Sequence, residues 1–271
     1  MGALADYDAY LAALRENRAA DFQLSGSTGR AARLSALWRT FVPAPATPTT
    51  SVALDGNSDV AIGPLPAVSA GNLTLLGARI NPGGISGVCL IVADILNQSG
   101  GLVGNVATEQ TTNLPTAALT RYTSGEGVMA GLIINAAIGT TATTFTINYT
   151  NQAGTTGRIS TATGIGSSSL GNAIGSFFPI PLAAGDTGVR SVQSVTLAAT
   201  TGTAGNMGIV LYKPLAMIAL NDFGGAHVID AVSSGGFVGA LAQAEPGACL
   251  SLLAVQNALQ VISGTILLAE V

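Results

Sequence analysis

The side chains of this sequence that could do chemistry are few and widely spaced. Its one histidine, His227, has an aspartate on either side and could join a distant serine in a Ser-His-Asp triad. However, the serines at 167–169 and 233–234 lie in glycine-rich stretches, and the sequence has no G-x-S-x-G elbow. We therefore expect His227 to be a loop residue beside Gly224 and Gly225, not a catalytic base.

Metal and sugar chemistry find equally little support. Cys89 and Cys249 lie far from His227 in the sequence, so we expect no zinc site. Residues 55–59 alternate oxygen-bearing side chains as a calcium loop does, but the distal glutamate is missing, and we interpret the segment as a turn. Glycoside hydrolysis needs two carboxylates across a cleft, whereas the acids after residue 50 are scattered singly. We expect no metal, no cofactor and no enzymatic activity.

The two cysteines leave two interpretations open. Each lies in an apolar run, Cys89 within GVCLI and Cys249 within ACL. Buried free thiols are favoured, because unpaired cysteine is among the most buried residue types. A disulfide between the two is the alternative.

The balance of apolar and charged residues is unusual for a soluble domain. Of the 271 residues 48% are hydrophobic and only 9% charged, and the net charge is −4, whereas a typical domain has about 25% charged residues. No apolar run of about 18 residues could cross a membrane, and no basic patch could bind a phosphate backbone. We predict binding to neither membrane nor nucleic acid. The apolar excess indicates surface that meets other protein chains, because interface cores are poor in charge.

From about residue 51 the sequence has the pattern of an all-β protein. Residues 144–150 alternate strictly, with Phe145, Ile147 and Tyr149 on one face and threonine and asparagine on the other. We predict a mainly β fold, with a β-sandwich or jelly-roll-like body over 51–271. A division of this body into two lobes near 164–172 stays an alternative. The strands that we predict lie at 73–80, 87–96, 128–136, 144–150, 155–161, 191–198, 207–212, 248–254 and 262–269.

The N-terminal 42 residues have a different, helical pattern. Apolar residues at 4, 7, 11 and 14 predict an amphipathic helix over 4–22, and a second short helix ends near residue 41. A Pro/Thr-rich linker at 43–50 separates this short helical arm, 1–42, from the body. The arm docks either on its own body or on a neighbouring chain, and we favour the neighbour. The residues that we predict to bind a partner are Tyr7, Leu11, Leu14, Phe22, Leu34, Leu37, Trp38 and Phe41.

Parts of the sequence resemble structural proteins of tailed bacteriophages. The resemblance lies in LADYDAYL at 4–11, ADF at 20–22, SALWR at 35–39 with the linker after it, and GDTGVRSV at 185–192. It implies a component of the virion, either a capsid decoration (cement) protein or a collar or tail protein. The sequence lacks the long charged spine helix that a major capsid protein of this type would show.

We therefore predict a non-enzymatic structural protein of a bacteriophage particle. It would form a homo-oligomer, with a trimer favoured, and attach to other virion proteins such as the major capsid protein. Among these roles, capsid decoration is favoured. The alternative is a β-rich surface or carbohydrate-binding adhesin, with exposed tyrosines and acids near residues 55–59. A hydrolase that uses His227 is the least favoured reading.

Overall fold

The computed structural model is built almost entirely of antiparallel β-strands. It describes residues 18–24, 33–39, 46–62, 71–81, 88–112, 114, 118–167, 171–220, 227–230, 243–256 and 262–270. Among these residues, no helix is long and apolar enough to span a membrane.

The strands run through the whole described part of the chain. Their bounds, in chain order, are β1 Arg18–Leu24, β2 Arg33–Ala36, β3 Val52–Ala53, β4 Leu73–Asn81, β5 Val88–Gln98, β6 Gln110–Thr111, β7 Met129–Ala136, β8 Thr143–Asn151, β9 Arg158–Ile159, β10 Thr163–Ile165, β11 Phe177–Pro179, β12 Val189–Leu197, β13 Asn206–Leu220, β14 His227–Asp230, β15 Gln243–Ala244, β16 Leu250–Gln256 and β17 Ile262–Glu270.

These strands form three sheets. The central sheet has the order β11-β7-β13-β5-β16-β2, with β3 beside β5. The terminal sheet, named for the two ends of the chain that it joins, has the order β1-β17-β4-β14, with β15 beside β4. The threonine sheet has the order β10-β8-β12-β6, with β9 beside β8. Each predicted strand overlaps a strand of this arrangement, although the one predicted at 155–161 is reduced to the two residues of β9, and the mainly β, sandwich-like fold is confirmed.

Two smaller sheets lie side by side on one face of the central sheet. On β5, Leu90 and Val92 pack against the terminal sheet, whereas Leu96 packs in the core shared with the threonine sheet. In that second core, Phe145 and Ile147 of β8 are at most 1% exposed. Each such side chain contributes about 1.5–3 kcal/mol by leaving water. The sandwich therefore has two cores on one face of a shared sheet.

A third core covers the other face of the central sheet. Trp38 lies here with Phe177, their ring centroids 6.3 Å apart, and Phe177 packs edge-on against Tyr212 at 5.4 Å. Gly131 of β7 leaves the space that Phe177 fills, because a Cβ at this glycine would lie 2.1 Å from the ring. Leu54 and Val60, from the segment after the linker, complete this core.

The helix predicted over 4–22 is wrong for the part of it that the structure describes. Arg18–Leu24 is strand β1, and Ala20 and Phe22 pair with Ile266 and Gly264 of β17. The reason is a local alternation, in which Ala20, Phe22 and Leu24 occupy every second position. A spacing of two is the signal of a strand. The rest of that predicted helix lies outside the described residues.

The second predicted helix is also wrong over the described residues. Arg33–Ala36 is strand β2, paired with β16, and Leu37–Arg39 is a single 3-10 turn. Leu34 and Ala36 again alternate with polar residues, and β16 offers an open edge for four residues to pair with. Both segments that follow residue 17 therefore belong to the sheets.

The end of the linker and the middle of the chain are integrated in the same way. The carbonyl of Pro48 lies over Gly100 so closely that a Cβ at this glycine would be 1.8 Å away. The possible division near 164–172 is not how the sheets are organised. Strands β7 and β8 before this point pair with β13 and β12 after it.

Candidate assembly surfaces

The threonine sheet presents one face to solvent, which we call the outer face. On β8, Thr144, Thr146, Asn148 and Thr150 are half-buried or exposed and alternate with buried residues. On β12, bulges let additional residues face outward. The side chains of these two strands on the outer face are hydroxyl and amide groups: Thr144, Thr146, Asn148, Thr150, Ser191, Gln193, Thr196 and Ser194, the last of which is only 4% exposed.

Hydrogen bonds order the side chains of the outer face. The Gln193 amide donates to the Thr150 hydroxyl at 3.1 Å and to the Ser191 hydroxyl at 2.8 Å. At the edge of the sheet, Ile159 pairs with Asn148 and is 54% exposed. Such ordered side chains lose little entropy when a second surface covers them, and hydrogen bonds across the contact can replace the water that their polar groups lose. The outer face is therefore suited to protein–protein contact.

One acid and one base border this face, the acid beside the edge strand β6 and the base near the start of β12. Ser194 donates a hydrogen bond to the Glu109 carboxylate. Arg190, the extra residue of a bulge in β12, donates to the carbonyls of Ser124 and Gln152 at 2.7–3.0 Å. Both charged residues are exposed, and neither forms an ion pair with another described residue.

A polar cluster fastens one end of the threonine sheet. The Tyr149 hydroxyl donates to Asp186 at 2.5 Å, and Asn151 and Arg158 donate to the same carboxylate, both at 2.8 Å. The bonds from Arg158 and Tyr149 lower the pKa of Asp186 to about 2. The Ala183 amide donates to the Tyr149 oxygen at 2.8 Å. This carboxylate holds a turn in place, and its bonds leave little capacity for chemistry.

A buried ion pair lies between the two cores on the face of the central sheet that the two smaller sheets cover. Asp94 is 0% exposed and Arg121 is 5% exposed. The guanidinium donates to both carboxylate oxygens, at 2.9 and 2.7 Å, and the Cys249 amide adds a third bond at 2.9 Å. Burial raises the pKa of Asp94, although Arg121 and the Cys249 amide oppose this shift. Every oxygen of this carboxylate is bonded within the fold.

The residue after Arg121 connects the two smaller sheets. Tyr122 has φ of 47°, a left-handed conformation that is uncommon for a bulky residue. Its amide donates to the Glu245 carboxylate at 3.1 Å, its hydroxyl accepts from the Glu245 amide at 3.2 Å, and Lys213 lies 5.5 Å from its ring centre. Burial raises the pKa of the Tyr122 hydroxyl. These contacts fix the loop between the sheets.

The predicted partner-binding residues fall into three groups. Leu37 and Trp38 are 0% exposed in the body of their own chain, and Leu34 is half-buried beside them. Phe22 is in β1, opposite Gly264. Tyr7, Leu11, Leu14 and Phe41 lie outside the described residues. The described members of the set are thus brought into the sheets and not into one free surface, and partner binding stays a prediction for the set.

The candidate chemical residues of the sequence have structural positions. Asp55 accepts hydrogen bonds from the Asn57 amide at 3.0 Å and the Ser58 hydroxyl at 3.1 Å, so residues 55–59 form the predicted turn. His227 is the first residue of β14, opposite Ile80, whereas a loop was predicted. Both cysteines are free, as predicted: Cys89 is half-buried and Cys249 is buried, which raises the pKa of each thiol.

A cleft of about 280 Å³ lies beside the end of the linker. Arg39 lines it and donates to the Thr47 hydroxyl at 2.6 Å, and Asp59, Gln98 and Val52 form other parts of its wall. Burial lowers the pKa of Arg39. The described part of the chain contains no group of three or more potential metal ligands. The described tyrosines are buried or half-buried.

Comparison with known proteins gives no family. No family model and no curated protein matches the chain. Among solved structures, it is similar to that of infectious bursal disease virus, Gt strain, at 12% identity and a TM-score of 0.20, over 93% of this chain and 80% of that one. It is also similar to the VP2 subviral particle of infectious bursal disease virus, at 11% identity and a TM-score of 0.24, over 94% and 79% of the two chains. A likeness of this size determines neither fold nor function.

Proposed function

We propose that this chain is a non-enzymatic structural protein of a virus particle that associates with copies of itself and with neighbouring proteins. The observation that carries the proposal is the outer face of the threonine sheet. From Thr144 to Thr150 on β8, no outward side chain is charged, although solvent-facing surfaces of soluble proteins usually carry many charges. A face of this kind fits a surface that is covered by another protein chain in an assembly.

The polar clusters of the fold support the non-enzymatic part of the proposal. Asp94 and Arg121 are bonded to each other and to the backbone, and Asp186 is bonded to Arg158 and Tyr149. A catalytic acid or base must instead reach a substrate. These carboxylates are used to position strands and loops.

The finer assignment is a capsid decoration or cement protein of a bacteriophage, with the major capsid protein as its neighbour. It rests on the resemblance of residues 4–11, 35–39 and 185–192 to tailed-phage structural proteins. In this role a trimer is favoured, because crowded particle surfaces are built from closed symmetric oligomers. Residues 1–17, with Tyr7, Leu11 and Leu14, would supply the attachment to the neighbour.

Sedimentation velocity of the purified full-length chain tests self-association. We expect a concentration-dependent increase in mass towards one defined, closed oligomer. High salt should weaken this association only in part, because screening acts on charged contacts and most of the outer face is uncharged. A strict monomer at every concentration up to the solubility limit would refute self-association of the free chain.

A further inference from the structure

The charges on the threonine sheet lie in a self-complementary arrangement. Glu109 is held at Ser194, and Arg190 precedes Ser194 by four positions on the same strand. Because β12 is bulged at Arg190 and before Ser194, this span matches only two to three residues of β8, which is about 8 Å along the strand. Between them the outer face has hydroxyl and amide groups only. A surface with an acid and a base at neighbouring positions matches a second copy that is turned around.

We propose that the outer faces of two copies pack against each other about a two-fold axis, with Glu109 of each copy opposite Arg190 of the other. In a two-fold contact every pairing occurs twice, so both acids and both bases are matched at once. The same arrangement without the turn would place like charges together, which costs several kcal/mol. This inference rests on the proposed self-association, and it assigns that association a two-fold contact between two copies in place of the favoured trimer.

The chemistry of the two charged side chains supports this pairing. The Arg190 guanidinium is already oriented by the carbonyls of Ser124 and Gln152, so little entropy is lost when a carboxylate approaches its free edge. The Glu109 carboxylate is likewise held by the Ser194 hydroxyl. Two pre-oriented groups of opposite sign give direction to an otherwise uniform surface.

The size of the face sets the strength of the contact. Strands β8 and β12 have nine residues each, which corresponds to a length of about 30 Å, whereas β10 and β6 have three and two residues. Two copies would bury about 700 Å² in total, which is the size of a weak contact. In a particle, where many such contacts act together, a weak contact is sufficient.

Charge reversal and mixing test the pairing. Glu109→Arg and Arg190→Glu are each expected to weaken association by about ten-fold or more, because each places two like-charged pairs at the interface. An equimolar mixture of the two variants pairs Arg with Glu at both contacts, so association is expected to return to within about three-fold of the unmodified chain. Sedimentation velocity from about 1 to about 500 µM measures this, a range suited to weak interfaces.

Matched controls separate the pairing from changes in net charge and from misfolding. Asp59→Arg, in the turn after β3, and Arg79→Glu, on β4, make the same charge changes at exposed positions outside the threonine sheet, and we expect both to associate like the unmodified chain. Recovery in the mixture shows that both reversed variants are folded. Thr146→Arg, in the middle of the face, should weaken association and should not be rescued by mixing with either variant.

The outcomes distinguish this inference from the proposed function. If the unmodified chain associates and both reversals associate equally well, the pairing is overturned while self-association stands. If reversal weakens association but mixing does not restore it, the pairing of Glu109 with Arg190 is overturned. If the unmodified chain is a monomer over the whole range, the self-association in the proposed function is overturned together with this inference.

Discussion

Asp94 interrupts an apolar strand at the place where the core under the terminal sheet meets the core under the threonine sheet. Its neighbours on the same face, Val92 and Leu96, belong to different cores, and Arg121 reaches it from a loop 27 positions away. Burial removes the hydration of both charges, and this loss offsets much of the attraction between them. Apolar residues could therefore stabilise the site equally well. The pair instead fixes the loop that carries Tyr122, and with it the spacing of the two smaller sheets.

Removal of one partner of this pair should therefore be costly. We expect Arg121→Met to reduce the free energy of unfolding by about 3–5 kcal/mol, because it leaves the Asp94 carboxylate buried without its counter-ion. The double variant Asp94→Asn/Arg121→Met should lose clearly less than the sum of the single losses. Urea denaturation measures both. Strict additivity of the two single losses would contradict the coupling, and Arg79→Met is a control at an exposed arginine.

Asp186 predicts a defined dependence of stability on pH. Its folded pKa is about 2, below the ordinary value of 3.8, so the stability that it contributes is complete above the ordinary value and is lost as the pH falls through about 2. Between pH 4 and pH 2, we expect the Tm of the unmodified chain to fall more steeply than that of Asp186→Asn. Parallel curves in this window would show that the cluster does not bind the ionised carboxylate.

At the scale of elements, strand β2 and the 3-10 turn after it place Trp38 in the third core. The ring packs against Phe177, which in turn contacts Tyr212. Trp38 is 0% exposed, and we expect Trp38→Ala to reduce the free energy of unfolding by about 3–5 kcal/mol. Met217, 74% exposed on β13, provides the control, since its change to alanine should cost less than about 0.5 kcal/mol. A cost for Trp38→Ala as small as the control's would mean that the ring does not pack in this core.

Truncation separates the N-terminal segment from the sheets. Deletion of residues 1–17 stops short of β1, and we expect a body with an unchanged Tm that no longer attaches to particles. Deletion of residues 1–42 removes β1, β2 and Trp38, so this variant should not fold. Particle co-sedimentation and thermal denaturation measure the two properties. Normal attachment of the variant that lacks residues 1–17 would refute the role of this segment.

The strands were predictable from sequence where one face of the strand is buried and the other is exposed to solvent. Phe145, Ile147 and Tyr149 alternate with polar residues because β8 covers a core on one side only. The short strands β1 and β2 were missed. The first has three alternating apolar residues and the second has two, and so short an alternation is read as part of a helix when a helical pattern precedes it. Tertiary pairing with β17 and β16 decides their state.

The contacts between distant residues were not predictable in the same way. Asp94 within an apolar run could have indicated a buried charge that needs a partner, but no local signal identifies Arg121. The relation of Glu109 to Arg190 likewise depends on the pairing of β6 with β12, across more than 80 positions. A single sequence shows only how residues are spaced along the chain, whereas these contacts depend on which strands lie next to each other in the sheets.

At the scale of the whole molecule, the scarcity of charge has a location. Two ion pairs among the described residues, Asp94 with Arg121 and Asp186 with Arg158, hold loops of the fold in place. On the outer face of the threonine sheet, no outward side chain of β8 is charged. Low charge reduces the repulsion between copies that are crowded together. This distribution is what a repeated building block of a particle requires.

Quantitative mass spectrometry of density-gradient-purified phage particles, from a host that produces this chain, tests the central claim most directly. We predict peptides from the whole chain at a fixed ratio to the major capsid protein, unchanged by high-salt washing of the particles. Absence of the chain from washed particles, with its full amount in the soluble fraction, would contradict a structural role in the virion.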